Sequence, residues 1–243
     1  MTMQHQSWRL IIDGDWPGAE NMARDVSMLD LVIAGEVLPT LRLYGWSPPC
    51  LSLGRHQGED AADVEFCRRN GIDIVRRPTG GRAVLHHLEL TYAVAAPLGR
   101  GPLPRPLQDA YRVICSALVR GMGLLGVDAG LTGGEVIVSL PGPQTAVPCF
   151  EAPAGGEVVV GGRKLIGSAM RSRQGYILQH GAILLDWDGR LQAGAMGLVD
   201  DSALRPHVTT LAEQLGGAPP REDIEQALAV AFEEVLGIEL SVE

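Results

Sequence analysis

Lysine is almost missing from this chain of 243 residues: its 20 basic residues are 19 arginines and a single lysine, Lys164. A guanidinium can stand in for an ammonium on a solvated surface. It cannot replace a compact amine whose proton affinity must move, or one that must fit beside a reacting carbonyl. A codon preference for arginine explains the other basic positions, and the one amine that is kept marks position 164 as a place that needs it. Positive charge is short overall as well. The formal charge is −9, which argues against a protein that coats nucleic acid, whose phosphate contacts need a basic face. No uncharged run exceeds the 15 residues of 136–150, and prolines break that one, so a transmembrane helix is excluded. The opening residues, MTMQHQSWRLIID, contain no apolar core of a secretory signal. Cysteine is sparse, with four residues (Cys50, Cys67, Cys115, Cys149) far apart and no CxxC pair. That usage predicts reduced thiols of the cytoplasm, not a disulfide framework or a zinc site.

Several common catalytic motifs are also absent. No GxxxxGK[ST] loop exists, because Lys164 is followed by Leu165, and Ser168 lies in Gly167-Ser168-Ala169 within a strand pattern, not in a GxSxG elbow. Gly121-Met-Gly-Leu-Leu-Gly126 has the spacing of a dinucleotide fingerprint, but it closes a helix pattern where the fingerprint opens one after a strand. His86 and His87 are adjacent, so on a strand they face opposite ways and cannot share one metal ion; one is expected to face a cleft and the other solvent.

What is present reads as α+β. The 31 glycines and 16 prolines cut the chain into many short elements. Residues 8–13 read as a strand, and the spacing from Ala19 to Ile33 predicts a helix stopped at Gly35. Residues 41–44 and 51–53 look like strands paired about Pro48-Pro49. A charged helix is expected over 59–70, then strands over 72–75 and 90–96, and a helix over about 107–122. Residues 158–185 carry a β-meander turned at Gly161-Gly162 and Gln174-Gly175. Helices are expected over about 208–215 and 221–236. Strands in runs, with helices that do not strictly alternate with them, indicate α+β and not a doubly wound sheet. The expected division is a catalytic domain over 1–195 and a short helical extension over 196–243 packed on it.

Two segments carry chemistry. Arg76-Arg77-Pro78-Thr79-Gly80-Gly81-Arg82-Ala83-Val84 sets three arginines about a Gly-Gly turn, which offers guanidinium forks and backbone N–H groups to a phosphate or an oxyanion; a solvated basic hairpin is the alternative. Cys149 follows Pro148 in a Gly/Pro-rich stretch over 131–155 that could present it to a cleft, whereas Cys67 and Cys115 sit in apolar helical patterns that suit buried thiols, and Cys50 stays ambiguous. A hairpin over 158–168 could bring the Lys164 amine towards the Cys149 thiol, where an ammonium would stabilise the thiolate.

RRPTGGRAVLHHLELTYAV (76–94) resembles the signature loop of the lipoate–protein ligase, octanoyltransferase and biotin–protein ligase superfamily. GGRKLIGSAMRSRQGYILQHGAILL (161–185) resembles its second signature, the strand pair that carries a lysine. Leu53-Gly54-Arg55-His56-Gln57 fits its early strand–turn, and the three together span most of residues 40–190 in the right order. Val147-Pro148-Cys149-Phe150 ahead of the GGRK hairpin is most similar to the cysteine-dependent octanoyltransferases that load the H protein of the glycine cleavage system. One departure is His87, where that family more often has Asp.

The resemblance implies a fold like the biotin and lipoate ligases, a mixed, largely antiparallel sheet flanked by helices, with Cys149 carrying the acyl group as a thioester and Lys164 lowering its pKa. It implies substrate contacts from Arg77, Thr79, Gly80, Gly81, Arg82, Ala83, Val84, His86, Gly167 and Ser168, with His86 helping to take a proton from the incoming amine. It also implies an octanoyl-acyl carrier protein as donor, a lipoyl-domain lysine as acceptor, and no metal or cofactor. Arg76, Arg77 and Arg171 would form a basic rim for an acidic carrier. An ATP- and Mg-dependent lipoate–protein ligase is the alternative, with Arg77 and Arg82 on an adenylate phosphate. A catalytically silent carrier-binding protein of the same fold is the third, against which the presence of both Cys149 and Lys164 argues.

Overall fold

The computed structural model describes residues 6–133 and 156–243. In chain order the elements are β1 (Gln6–Trp16), α1 (Gly18–Ala34), β2 (Thr40–Trp46), β3 (Cys50–Leu53), α2 (Val64–Arg69), β4 (Asp73–Arg76), β5 (Val84–His86), β6 (Glu89–Pro97), α3 (Leu107–Leu124) and β7 (Gly130–Leu131), followed by β8 (Val158–Val160), β9 (Arg163–Arg173), β10 (Tyr176–Leu184), α4 (Gly189–Ala195), α5 (Leu211–Leu215), α6 (Arg221–Leu236) and β11 (Ile238–Val242). Eight strands form one sheet in the order β11-β1-β2-β6-β10-β9-β8-β7, and a second sheet of three runs β4-β3-β5. β1 is parallel to both of its neighbours, and every other pair in the large sheet is antiparallel. The expected α+β class with a mixed, largely antiparallel sheet is what the chain forms.

Alternation along the strands assigns the two faces of the large sheet. Leu41, Leu43, Tyr92 and Val94 pack with Ile114 and Leu118 of α3 and with Leu228 and Phe232 of α6 in the main core. Tyr44, Ala93, Ala95 and Leu178 meet Met28, Leu29 and Val32 of α1 on the other side. α1 stops where the sequence places its end: Gly35 takes φ 72°, and its N–H returns to the carbonyls of Leu31 and Val32.

Three features differ from the sequence reading. β2 and β3 do not pair about Pro48-Pro49; the chain changes sheets there, because the Leu51 side chain belongs to a separate apolar cluster with Leu53, Leu85 and Leu184. It changes back at Leu88, held at φ 54°, whose carbonyl accepts from the N–H groups of Leu185 and Asp186. The charged helix over 59–70 is a short 3₁₀ turn and then α2, restarted at Asp63, whose side chain caps the Phe66 N–H. The helix expected over 208–215 is shortened to α5, because Lys164 and Val208 form a parallel bridge and Thr209 donates to the Lys164 carbonyl.

Residues 196–243 share the main core. Leu211, Ile224, Phe232 and Ile238 lie in the same cluster as Trp8 and Ile114, and β11 pairs in parallel with β1 to form one edge of the large sheet. Phe232→Ala should therefore destabilise the whole molecule, by about 3–5 kcal/mol. Urea unfolding followed by tryptophan fluorescence should remain one transition at a lower midpoint. A separate early transition of the C-terminal segment would contradict the shared core.

Candidate functional site

A cleft lies between the two sheets. Thr91, Gly167, Ser168, Ala169, Gly181 and Ala182 contribute from the large sheet; Ser52, Val84 and His86 from the small one; Met22 of α1 and Trp46 enclose it further. It holds about 510 Å³ of space free of protein atoms, open solvent at its mouth included. The glycine pair matters to its shape. A Cβ at Gly181 would strike the Gly167 carbonyl, the Ser168 hydroxyl and the Tyr92 ring.

The turn between β4 and β5 forms one wall, and its carbonyl groups are tied to the protein. The buried Arg77 guanidinium donates to the carbonyls of Ser52 at 2.8 Å, Gly80 at 2.8 Å and Arg82 at 2.6 Å. The Arg55 N–H donates to the Thr79 carbonyl at 2.9 Å. Arg76 donates to the carbonyls of Gly54 and Gln57, at 3.0 and 2.7 Å. Arg76 and Arg77 thus build the turn through neutral acceptors, which is a different use from the anion forks the sequence suggests. Gly81 stands at φ 90°, and its carbonyl fills the space that a Cβ on Gly54 would need. With the carbonyls so held, the N–H groups of Gly80 and Gly81 have no partner among the described residues. Such a turn offers paired donors to an oxygen that carries negative charge.

Two histidines line the cleft, and each lies between a hydroxyl and a carboxylate. His86 meets Ser52 Oγ with Nε2 at 2.8 Å and Glu89 Oε1 with Nδ1 at 3.2 Å, and its ring stacks on Trp46 with centroids 3.9 Å apart. Burial lowers the His86 pKa, and the nearby Glu89 carboxylate opposes this without overcoming it. His180, from β10, meets Thr79 Oγ1 at 2.6 Å with Nε2 and Asp25 Oδ2 at 2.9 Å with Nδ1. Asp25 accepts in addition from Arg42 and from the Tyr44 hydroxyl, both at 2.9 Å. Burial, and then Asp25, push the Tyr44 pKa well up, so Tyr44 keeps its proton and donates.

Of the residues proposed from sequence, Arg77, Gly81, Val84, His86, Gly167 and Ser168 line the cleft, while Thr79, Gly80, Arg82 and Ala83 belong to the turn that forms its wall without being lining residues themselves. His87 is half-buried, and His86 is the one that faces the cleft. Ser168 accepts a hydrogen bond from the Tyr92 hydroxyl at 2.7 Å. Lys164 is not among the lining residues. It sits three positions before Gly167, about 10 Å along the strand, where Val158 pairs with Ile166 but Val159 pairs with Lys164, leaving Leu165 as the extra residue of a bulge. Its amine is 1% exposed and 2.8 Å from Glu157 Oε1. Cys149 lies outside the described residues. Cys50, Cys67 and Cys115 are buried; burial raises the pKa of all three, to about 11 for Cys67 and about 12 for Cys115. That suits inert core thiols.

Asp25, Glu157 and His180 escaped the sequence reading. Asp25 left a trace: it falls on the stripe of α1 that buries Met22, Met28 and Leu29, where an acid without a partner would be costly. His180 alternates with Leu178 and Ala182, a pattern that marks its face but not its partners.

The family model for the lipoyl protein ligase A/B catalytic domain matches residues 17–233. Among curated proteins, the Octanoyltransferase LipM of Kyrpidia tusciae is 42% identical over 246 residues, which is 97% of this chain and 89% of that protein. The protein of the same name from Symbiobacterium thermophilum is 41% identical over 97% of this chain and 88% of its own length. That of Bacillus subtilis is 41% identical over 76% and 68%. Among solved structures, a lipoate-protein ligase A bound with ATP superposes with a TM-score of 0.75 at 23% identity, over 98% of this chain and 89% of that one. A bi-partite lipoate protein ligase of Thermoplasma acidophilum superposes with a TM-score of 0.75 at 22% identity, over 98% and 87%. These two likenesses establish the fold.

Because the unfolded chain takes up a proton on His86 that the folded site resists, His86 costs stability as pH falls below the ordinary histidine value of 6.5. In a proton NMR titration the His86 ring should change below pH 6.5. His86→Gln should reduce the loss of stability between pH 7 and 5. A ring midpoint at or above 6.5 would contradict the dominance of burial.

Proposed function

We propose, from the premise that this chain belongs to the lipoyl protein ligase A/B catalytic-domain family, that it is an octanoyltransferase of protein lipoylation. The observation that carries this reading is the similarity, at 41–42% identity over 97% of the chain, to proteins named Octanoyltransferase LipM. The cleft supports it: apolar groups on Met22, Val84, Ala169 and Ala182 suit an alkyl chain, at about 0.8 kcal/mol per buried methylene. The donor in this reading is an octanoyl thioester on acyl carrier protein. The acceptor is the lysine of a lipoyl-domain protein, such as the glycine cleavage H protein. The reaction takes place in the cytoplasm and uses no nucleotide and no metal.

The chemistry is two acyl exchanges. The Cys149 thiolate attacks the thioester carbonyl; a new C–S bond forms, the old one breaks, and the carrier leaves as a thiolate that takes up a proton. The acceptor amine then attacks the same carbonyl. Its C–N bond forms as the C–S bond to Cys149 breaks, and the proton shed by nitrogen returns to sulfur. The first exchange trades one thioester for another, and the second turns a thioester into an amide and runs downhill. Lys164 stabilises the thiolate, and the free N–H groups of Gly80 and Gly81 take the charge that develops on the carbonyl oxygen. His86, kept neutral by burial, is suited to accept the amine's proton.

Purified protein given octanoyl-acyl carrier protein and an apo lipoyl domain, with no nucleotide, should transfer the octanoyl group. Cys149→Ser should abolish transfer and the hydroxylamine-labile acyl adduct, and Lys164→Ala should slow transfer by on the order of a hundredfold. Acylation that requires ATP and a free acid would overturn the reading.

A further inference from the structure

We propose that Asp25 and His180 act as a positioning relay: through the Thr79 hydroxyl they hold the Gly80-Gly81 turn so that its free N–H groups meet the acyl carbonyl. The inference rests on the octanoyltransferase reading and adds to it Asp25, which lies outside both signature segments, and His180, which lies within the second segment but had no role assigned to it there.

Hydrogen-bond chemistry sets the direction of the relay. A carboxylate only accepts, so the 2.9 Å contact to Asp25 Oδ2 places a proton on His180 Nδ1. In the tautomer with its proton on Nδ1, the ring presents the Nε2 lone pair, and the Thr79 hydroxyl, 2.6 Å away, donates to it. Asp25 is itself fixed by Arg42 and Tyr44 and is fully buried. Asp25, Arg42 and Tyr44 sit where α1 packs on the large sheet, so the chain of contacts ties the turn to that packing. Thr79 is fully buried, and its side chain points at His180. It therefore restrains the backbone next to two glycines, which would otherwise sample many conformations. From the other side, Arg77 holds the Gly80 and Arg82 carbonyls and donates to Ser52 Oγ, which joins the relay of His86 and Glu89. The turn is clamped at Thr79 by one histidine and braced through Arg77 by the other.

Thr79→Val keeps the shape of the side chain and removes the hydroxyl. It should lower kcat for octanoyl transfer about tenfold, leave KM for the octanoyl donor within about twofold, and shift the melting temperature little. Thr79→Ser, which restores the hydroxyl, should recover most of the rate. His180→Asn retains a donor for Asp25 but loses the acceptor for Thr79, and should match Thr79→Val. The double variant should be no slower than either single one, because both break one link. Asp25→Asn also strips Arg42 of its buried partner, so it serves only as a check on folding. Wild-type kcat in Thr79→Val, a loss that falls on KM alone, or rate losses that multiply in the double variant would overturn the relay. A wild-type protein that transfers no octanoyl group would instead overturn the reading on which it rests.

Discussion

A buried carboxylate is costly unless it is fully hydrogen-bonded, and Asp25 is the point at which this protein meets that requirement. Its side chain, shut off from solvent, accepts from the Arg42 guanidinium, the Tyr44 hydroxyl and the His180 ring. Those partners come from β2 and β10, and Asp25 itself from α1, so one charge joins the helix to two strands of the large sheet. Arg42 is satisfied in turn by Asp13 and Asn21 and lies 3.8 Å over the Tyr44 ring. Replacing Asp25 removes the acceptor that Arg42, Tyr44 and His180 share in a low-dielectric interior. The placement of α1 is therefore specified by polar contacts as well as by the packing of Met28, Leu29 and Val32.

The same contacts give the cleft its chemistry. The small sheet brings the Gly80-Gly81 turn over the large one, and two histidines on facing walls each link a hydroxyl to a carboxylate. Their neighbours differ. His180 serves an inward-facing threonine, whereas His86 stacks on Trp46 and is held neutral by burial. The apolar wall between them leaves room where Gly167 and Gly181 carry no side chains. Lys164, at a bulge on the same strand, is ion-paired with Glu157 and does not line that wall.

Much of this was legible in the sequence where the signal is local. The β-meander over 158–185, α1 with its Gly35 stop, α3 and α6 follow from periodicity and turn residues within one element. The Gly-Gly turn was found because glycines beside arginines are distinctive, but the role of those arginines was not. Whether a guanidinium meets an external anion or a backbone carbonyl depends on where residues 52, 54 and 57 fold back, and no local pattern encodes that. The separation of β2 from β3 was hidden for the same reason, because two short apolar runs around a proline turn look alike whether they pair or part. β11 was missed although Ile238, Leu240 and Val242 alternate in the manner of a strand; its partner is β1, more than 200 residues away. Asp25 and His180 lie 155 positions apart, and their pairing emerges only once α1 is laid on the sheet.

The central claim is that the N–H groups of Gly80 and Gly81 receive the acyl oxygen. Its most direct measurement is the infrared carbonyl stretch of an octanoyl thioester labelled with ¹³C at the carbonyl, bound to the Cys149→Ser protein so that it does not turn over. Two aligned donors weaken the C=O bond, so the band should move to lower frequency than in water and return towards the aqueous value in Thr79→Val. A bound band at or above the aqueous frequency would show that the turn does not hold the carbonyl, and would contradict the claim.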